Sequence, residues 1–251
     1  MIPIKNEREL VAMRRACKIT AAARAFAGEM VKPGVTTKQI DKAVSDFIIS
    51  QGGTTPCLGY YGFPAATCIS VNNKVVHGIP DGYVLKDGDI VTIDLVGGWQ
   101  GYHGDCCATF PCGTISAEAQ RLIDVTKQSF FEGLRFAKNG YRVSDISHAV
   151  QTYVESNGFS VVRAYVGHGI GAAMHEEPEV PNFGKPGRGP RLLPGMTICI
   201  EPMVNQGVYD VRVLKDGWTA VTADGKLSAH YENTVLITDG EPEILTVTEG
   251  L

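Results

Sequence analysis

The sequence predicts an α+β protein of internally duplicated halves, and three observations carry that expectation. Two long segments have helical spacing, one alternating stretch doubles back on itself, and a block of the first half recurs in the second. The helical spacing runs from Glu7 to Met30 and from Thr37 to Ser50, with breaks at Pro33-Gly34 and Gly52-Gly53. The doubling-back begins at Asp89-Ile-Val-Thr-Ile-Asp94, passes Gly97-Gly98-Trp99-Gln100-Gly101, and returns through Tyr102-His-Gly-Asp105-Cys-Cys-Ala-Thr-Phe110. Glycines with few strand formers between two such arms signal a β-hairpin.

Alternation puts Ile90, Thr92 and Asp94 on one face of the first arm and Val91, Ile93 and Leu95 on the other. The midpoint between positions 94 and 105 falls between Trp99 and Gln100. A symmetric register therefore sets Asp94 and Asp105 directly opposite each other, with Cβ atoms roughly 5 Å apart. Two like charges so placed repel, and a cation is the simplest compensation.

The recurrence matches Val31–Gly52 with Ala137–Gly158 at an offset of 106, with identities that include Lys32/Lys138, Gly34/Gly140, Ile40/Ile146, Val44/Val150 and Gly52/Gly158. Leu85–Asp94 then matches Leu192–Glu201 at an offset of 107. Glu201 thus stands where the first half has Asp94, on a predicted face shared with Thr197 and Cys199. The expected organisation is a single domain over 1–251, with pseudo-twofold halves of approximately 1–110 and 111–251. Layered helices against mostly antiparallel strands would leave a central cleft between the halves, into which both deliver carboxylates.

Composition narrows the function classes. At 44% hydrophobic and 20% charged the chain has globular proportions, and its net charge of −4 gives no electrostatic case for nucleic acid or an anionic membrane. No apolar run approaches the length of a membrane span, and Met1-Ile-Pro-Ile-Lys-Asn-Glu-Arg-Glu-Leu10 lacks the apolar core of a signal peptide. Seven cysteines, two of them adjacent at Cys106-Cys107, fit free thiols in a reducing cytoplasm, and the expectation is a cytoplasmic monomer.

The second half adds His168 in Val166-Gly-His-Gly-Ile-Gly171, His175 in Met174-His-Glu-Glu-Pro178, and Glu232 in Ala229-His-Tyr-Glu-Asn-Thr234. Asp94, Asp105, His168, Glu201 and Glu232 together make an oxygen-rich set with one nitrogen donor. Such a set suits two divalent ions such as Mn, Fe, Co or Zn and fits a thiolate zinc site poorly. Each member alone has a duller reading, since a strand-end carboxylate commonly caps a turn. The case rests on several lying inside β runs, where an unpaired charge is costly. Competing motifs fail: Gly167-His-Gly-Ile-Gly171 is not followed by a helix start, and His175-Glu-Glu-Pro-Glu179 lacks the second histidine of a zincin helix. There is no phosphate-binding loop or serine nucleophile turn.

On these residues the chain resembles the type I methionine aminopeptidases, in their short bacterial form, over nearly its whole length. The matching segments are Cys57-Leu-Gly-Tyr-Tyr-Gly-Phe-Pro64, Cys68-Ile-Ser-Val-Asn-Asn-Lys-Val-Val-His-Gly-Ile-Pro80, Asp94, Gly104-Asp105, Gly167–Gly171, His175–Pro178, Ile200-Glu-Pro-Met203, Lys215-Asp-Gly-Trp218 and Tyr231-Glu232. The resemblance implies the pita-bread (creatinase/aminopeptidase) fold around a central metal cleft. The implied activity is excision of the N-terminal methionine from peptides and nascent chains, with small second residues favoured. It also implies that Asp94 holds one metal, His168 and Glu201 the other, and that Asp105 and Glu232 bridge them. A water between the metals, acidified towards hydroxide, would attack the first peptide bond. Glu201 would shuttle the proton, His175 would hydrogen-bond the developing oxyanion, and His77 would contact the scissile amide.

By the same resemblance, Cys57, Tyr60, Phe63, Cys68 and Trp218 line the methionine pocket, where sulfur and aromatic surfaces suit a thioether. Relatives commonly carry phenylalanine just before the His-Glu-Glu-Pro segment; Met174 stands there in this chain and bears on the pocket's rim. Work on nascent chains would bring the protein to the ribosome.

Three rival readings remain at this level. Aminopeptidase P and prolidase relatives share the ligand set but usually carry a substantial N-terminal domain, for which the sequence gives no sign. Type II methionine aminopeptidases carry a late helical insertion, and only 31 positions separate Glu201 from Glu232. A non-catalytic pita-bread module that binds peptide ends would be expected to have lost metal ligands, whereas all five are present.

Overall fold

Four helices carry the outer layer of the structure, a computed structural model that describes residues 2–248. Helix α1 (Glu7–Glu29) begins where Asn6 accepts a hydrogen bond from the Glu9 amide and the Glu9 carboxylate accepts from the Asn6 amide, a reciprocal capping box. Helix α2 (Thr37–Ser50) starts on the same device, made by Thr36 and Gln39, and buries Ile40, Val44 and Ile48 as one stripe. Ser116 caps α3 (Ala117–Leu134), and α4 (Val143–Ser156) buries Ile146, Val150 and Val154.

The strands are β1 (Cys68–Val71), β2 (Lys74–Val76), β3 (Ile90–Trp99), β4 (Tyr102–Pro111), β5 (Ser160–Val161), β6 (Gly167–Gly169) and β7 (Glu176–Val180), followed by β8 (Thr197–Ile200), β9 (Met203–Asn205), β10 (Val211–Val213), β11 (Ala220–Thr222), β12 (Ser228–His230), β13 (Glu232–Leu236) and β14 (Glu243–Ile244). Eight of them form the main sheet, in the order β1-β3-β4-β13-β8-β6-β7, with β14 on β13. Every strand pairing in that sheet is antiparallel.

The duplication is visible residue by residue. Helix α4 has both its ends and its buried stripe 106 positions after those of α2. Gly34 and Gly140 both lie in the left-handed region, as do Gly52 and Gly158. The bridge Thr36↔Val84 recurs as Arg142↔Arg191, and the bonds from Leu85 N–H to Val35 and from Leu192 N–H to Tyr141 correspond in the same way. Each half also packs its own core. Ile19, Ile40, Val44, Ile69, Val91 and Ile93 cluster in the first, and Leu122, Ile146, Val150, Ile198 and Val235 in the second.

The hairpin forms, but with a different register from the symmetric expectation. Trp99 pairs with Tyr102, so the turn is the dipeptide Gln100-Gly101, Asp94 faces Cys107, and Asp105 faces Val96. A type I′ turn, whose twist matches that of the strands, needs positive φ at both positions, and Gln100 (49°) and Gly101 (81°) supply it. The two aspartates keep to one face as diagonal neighbours. Gly97 and Gly98 belong to β3, not to the turn. A Cβ on Gly97 would meet the Thr20 hydroxyl at 2.5 Å, and one on Gly98 the Thr54 hydroxyl at 2.4 Å. These glycines let α1 and the loop before β1 approach the sheet.

Candidate active site

Five adjacent strands each deliver one polar side chain to the same cavity. Across the order β3-β4-β13-β8-β6 these are Asp94, Asp105, Glu232, Glu201 (one residue past the end of β8) and His168. All five expected ligands line one cavity of about 250 Å³, together with His77 and His175. The backbone is held to put them there. The Thr234 hydroxyl accepts from the Asp105 N–H and donates to the Asp105 carbonyl, standing in for a ladder pair beyond the Glu232↔Cys107 register. Asn182 Nδ2 donates to the Glu201 carbonyl.

Nδ1 of His168 lies 2.9 Å from the Gly169 carbonyl, so it carries the proton and leaves the Nε2 lone pair free. That Nε2 lies 3.5 Å from Glu201 Oε1 and 3.8 Å from Asp105 Oδ2. Burial, reinforced by His175, drives the His168 pKa down to about 3, which keeps the ring neutral as a ligand must be. The carboxyl groups are displaced the other way. Burial pushes Asp94 up to about 7. Burial first, and then neighbouring carboxylates, push Asp105, Glu201 and Glu232 well above the usual range.

Asp105 Oδ1, Glu201 Oε1 and Glu232 Oε1 are buried without a hydrogen-bond partner among the described residues. Unpartnered buried carboxylate oxygens are costly, and a divalent cation among them would both neutralise and coordinate the set. Ligand atoms of Asp105, His168, Cys199 and Glu232 lie within 4.8 Å of one another. Thus the residues present fit divalent-ion binding.

An expected result follows for metal-free protein. Between the ordinary carboxyl pKa of 3.8 and about 7, folded Asp94 keeps a proton that the unfolded chain releases. Asp94 therefore favours the fold at low pH, and that contribution is lost as pH rises through 7. Thermal melts in chelator should show native protein losing stability relative to Asp94→Asn over that window, and an unchanged difference would refute the shift.

A second cavity of about 180 Å³ adjoins the first, sharing His77, His175, Asp94 and Asp105. Cys57, Tyr60, Phe63, Cys68, Met174 and Trp218 also line it, so every expected substrate-binding residue lies on it. Phe63 meets Trp218 edge-on at 5.2 Å, and His77 stands between Tyr165 and Trp218. Met174, expected at the rim, is instead buried in the wall against the cluster of Cys57, Phe63, Cys68 and Val96. All seven cysteines are free and buried, Cys106 and Cys107 within β4.

Sequence reasoning missed three features. Lys5 and Glu176 form an ion pair of 2.5 Å with side chains only 4% and 10% exposed. It ties the segment before α1 to the residue after His175. Leaving one partner of a buried pair uncompensated costs about 3–5 kcal/mol. Urea unfolding of Lys5→Met should show a loss of that order, largely recovered in Lys5→Met/Glu176→Leu; no loss in the single variant would contradict it. His230, two positions before Glu232, is buried with neither ring nitrogen bonded among the described residues and lies 3.9 Å from Glu201 Oε2. Its only sequence signal was that spacing. Cys199 lies on the predicted Glu201 face, and its place in the cluster has no further signal in the sequence.

The site and sheet define a metallopeptidase, and residues 11–239 match the model of metallopeptidase family M24. The chain belongs to that family. It is 56% identical to the methionine aminopeptidase of Clostridium perfringens over 98% of this chain and 99% of that protein. With methionine aminopeptidase 1 of Bacillus subtilis the identity is 50%, over 98% and 99%. The crystal structure of a methionine aminopeptidase from Thermotoga maritima superposes with a TM-score of 0.97 at 42% identity, covering 99% of this chain and 100% of that one. The prolidase from Pyrococcus furiosus shares the pita-bread fold at a TM-score of 0.80 and 22% identity, covering 98% of this chain and 66% of that one.

Proposed function

We propose that this chain is a methionyl aminopeptidase, a metal-dependent hydrolase that removes the N-terminal methionine of peptides and nascent proteins, favouring small second residues. The observation that carries this reading is the junction of the two cavities. A pocket walled by Cys57, Cys68, Met174, Phe63 and Trp218 opens onto a carboxylate–histidine cluster. Sulfur and aromatic faces suit a thioether, and 180 Å³ is of the order of one side chain.

In this reading Asp94, Asp105, His168, Glu201 and Glu232 would hold two divalent ions (Mn, Fe, Co or Zn). Such ions, when bound, supply Lewis acidity towards a carbonyl and lower the pKa of water. The chain's own residues do the rest. The pocket fixes the methionine side chain, so the first peptide bond lies at the junction. His77 and His175, which line both cavities, flank that bond. His77 contacts the amide, and His175 donates a hydrogen bond to the carbonyl oxygen as it gains charge. Glu201 takes the proton from the attacking water and passes it to the leaving amine.

The working unit is one catalytic domain over 1–251, acting as a cytoplasmic monomer that meets nascent chains at the ribosome and uses neither nucleic acid nor membrane. Among the described residues no helix is long and apolar enough to cross a membrane. Peptide cleavage tests the reading. Met-Ala-Ser should release methionine faster than Met-Leu-Ser, and Leu-Ala-Ser and Ala-Pro-Ala should be inert. Cleavage of Ala-Pro-Ala in preference would assign the chain to the aminopeptidase P branch.

A further inference from the structure

We infer that Tyr60, besides walling the methionine pocket, is a positioning residue whose hydroxyl donates to Nδ1 of His175 and so fixes the proton of that ring on Nε2. The inference rests on the proposed function, in which His175 donates to the developing oxyanion. A neutral imidazole carries a single N–H. If that hydrogen sat on Nδ1, the other nitrogen would present a lone pair to the oxyanion and repel it. Something must therefore hold Nδ1 as an acceptor.

Tyr60 Oη lies 2.8 Å from His175 Nδ1, and the rings are 5.4 Å apart. A phenol O–H is a good donor to an imidazole nitrogen, whereas a phenol oxygen is a poor acceptor, so the pair is asymmetric in favour of Nε2–H. The His175 ring also meets His168 edge-on, with centroids 4.2 Å apart and ring planes at 60°. The ring is thus held between a metal-cluster ligand and Tyr60.

The backbone around Tyr60 points the same way. Gly59 (φ 85°), Tyr61 (46°) and Gly62 (90°) are all in the left-handed region, and Tyr61 has a Cβ that disfavours it. The bond from the Gly59 N–H to the Phe63 carbonyl closes this loop at 2.8 Å. Strain of this kind persists where the surroundings over-determine a conformation. An apolar wall alone would not need a hydroxyl placed at hydrogen-bond distance from one chosen nitrogen.

The test is Tyr60→Phe, which keeps the ring and removes the hydroxyl, studied alongside the native chain, both zinc-loaded and with ¹⁵N-labelled histidine. In the native chain the His175 Nδ1 resonance should be unprotonated and Nε2 protonated, and the variant should show both tautomers. For Met-Ala-Ser the variant's kcat should fall roughly tenfold, the order expected for one lost hydrogen bond. KM should stay within about twofold and metal content should be unchanged. A protonated Nδ1 in the native chain would overturn the inference even if the variant failed to fold. So would a variant in which KM alone rises, because Tyr60 would then be pocket wall only. A native chain that shows the Nε2–H tautomer yet releases no methionine would count against the proposed function and leave the Tyr60 contact standing.

Discussion

Asp105→Asn is expected to abolish turnover and to lower divalent-ion content in the same preparation. Asp105 sits at the crowded centre of the cluster, its Oδ2 3.8 Å from His168 and its Oδ1 buried without a partner among the described residues. Its strand is flanked by β3, which carries Asp94, and by β13, which carries Glu232. Changing even an outer partner of a metal ligand commonly costs about 10–100-fold. If Asp105 is shared by two ions, as proposed, its loss should exceed that. The backbone should hold, because the Thr234 hydroxyl bonds to main-chain atoms of residue 105 and an amide has nearly the same shape. Metal analysis and peptide cleavage on one sample decide the matter. Normal ion content with retained activity would refute a shared role for Asp105.

His175→Ala should behave differently, losing kcat by about a hundredfold or more while the ions stay bound, as when an oxyanion donor is removed. Its ring touches His168, but its Nδ1 is engaged by Tyr60 and it lies where the two cavities meet. Burial, with a smaller contribution from His103, lowers its pKa, which favours the neutral ring that the proposed donor role needs. The separation of effects is the informative part: Asp105→Asn removes ions and activity, whereas His175→Ala removes activity alone. If ion content falls in the alanine variant, His175 is a ligand and its proposed role is wrong.

Much of this site is legible in the chain because local periodicity and the repeat both act at short range. The offset of 106 places α4 on α2 to the residue, since matching turns at Gly34/Gly140 and Gly52/Gly158 punctuate equal lengths of helix. The same logic places Glu201 against Asp94. Legibility fails where a single residue or a distant partner decides. The hairpin register turns on whether Gln100 accepts positive φ, which composition does not dictate, and it shifts Asp105 from opposite Asp94 to the diagonal. Gly97 and Gly98 look like turn residues, yet they serve contacts with Thr20 and Thr54, far away in sequence. Lys5 and Glu176 are 171 positions apart, and nothing local in either marks a buried pair. Met174 reads as a rim residue until the wall around it is seen to close.

Metal add-back to stripped protein tests most directly whether the five-residue cluster and its neighbouring pocket act as one site. The full chain, freed of ions by chelation, would be titrated with Mn, Fe, Co or Zn singly while methionine release from Met-Ala-Ser and bound ions per chain are followed together. Activity should be absent at first, return with ion binding, and stay low in Asp105→Asn under the same titration. Ions bound to the native chain without any methionine release, for every metal tried, would contradict the reading and leave a peptide-binding module with an enzyme's ligands.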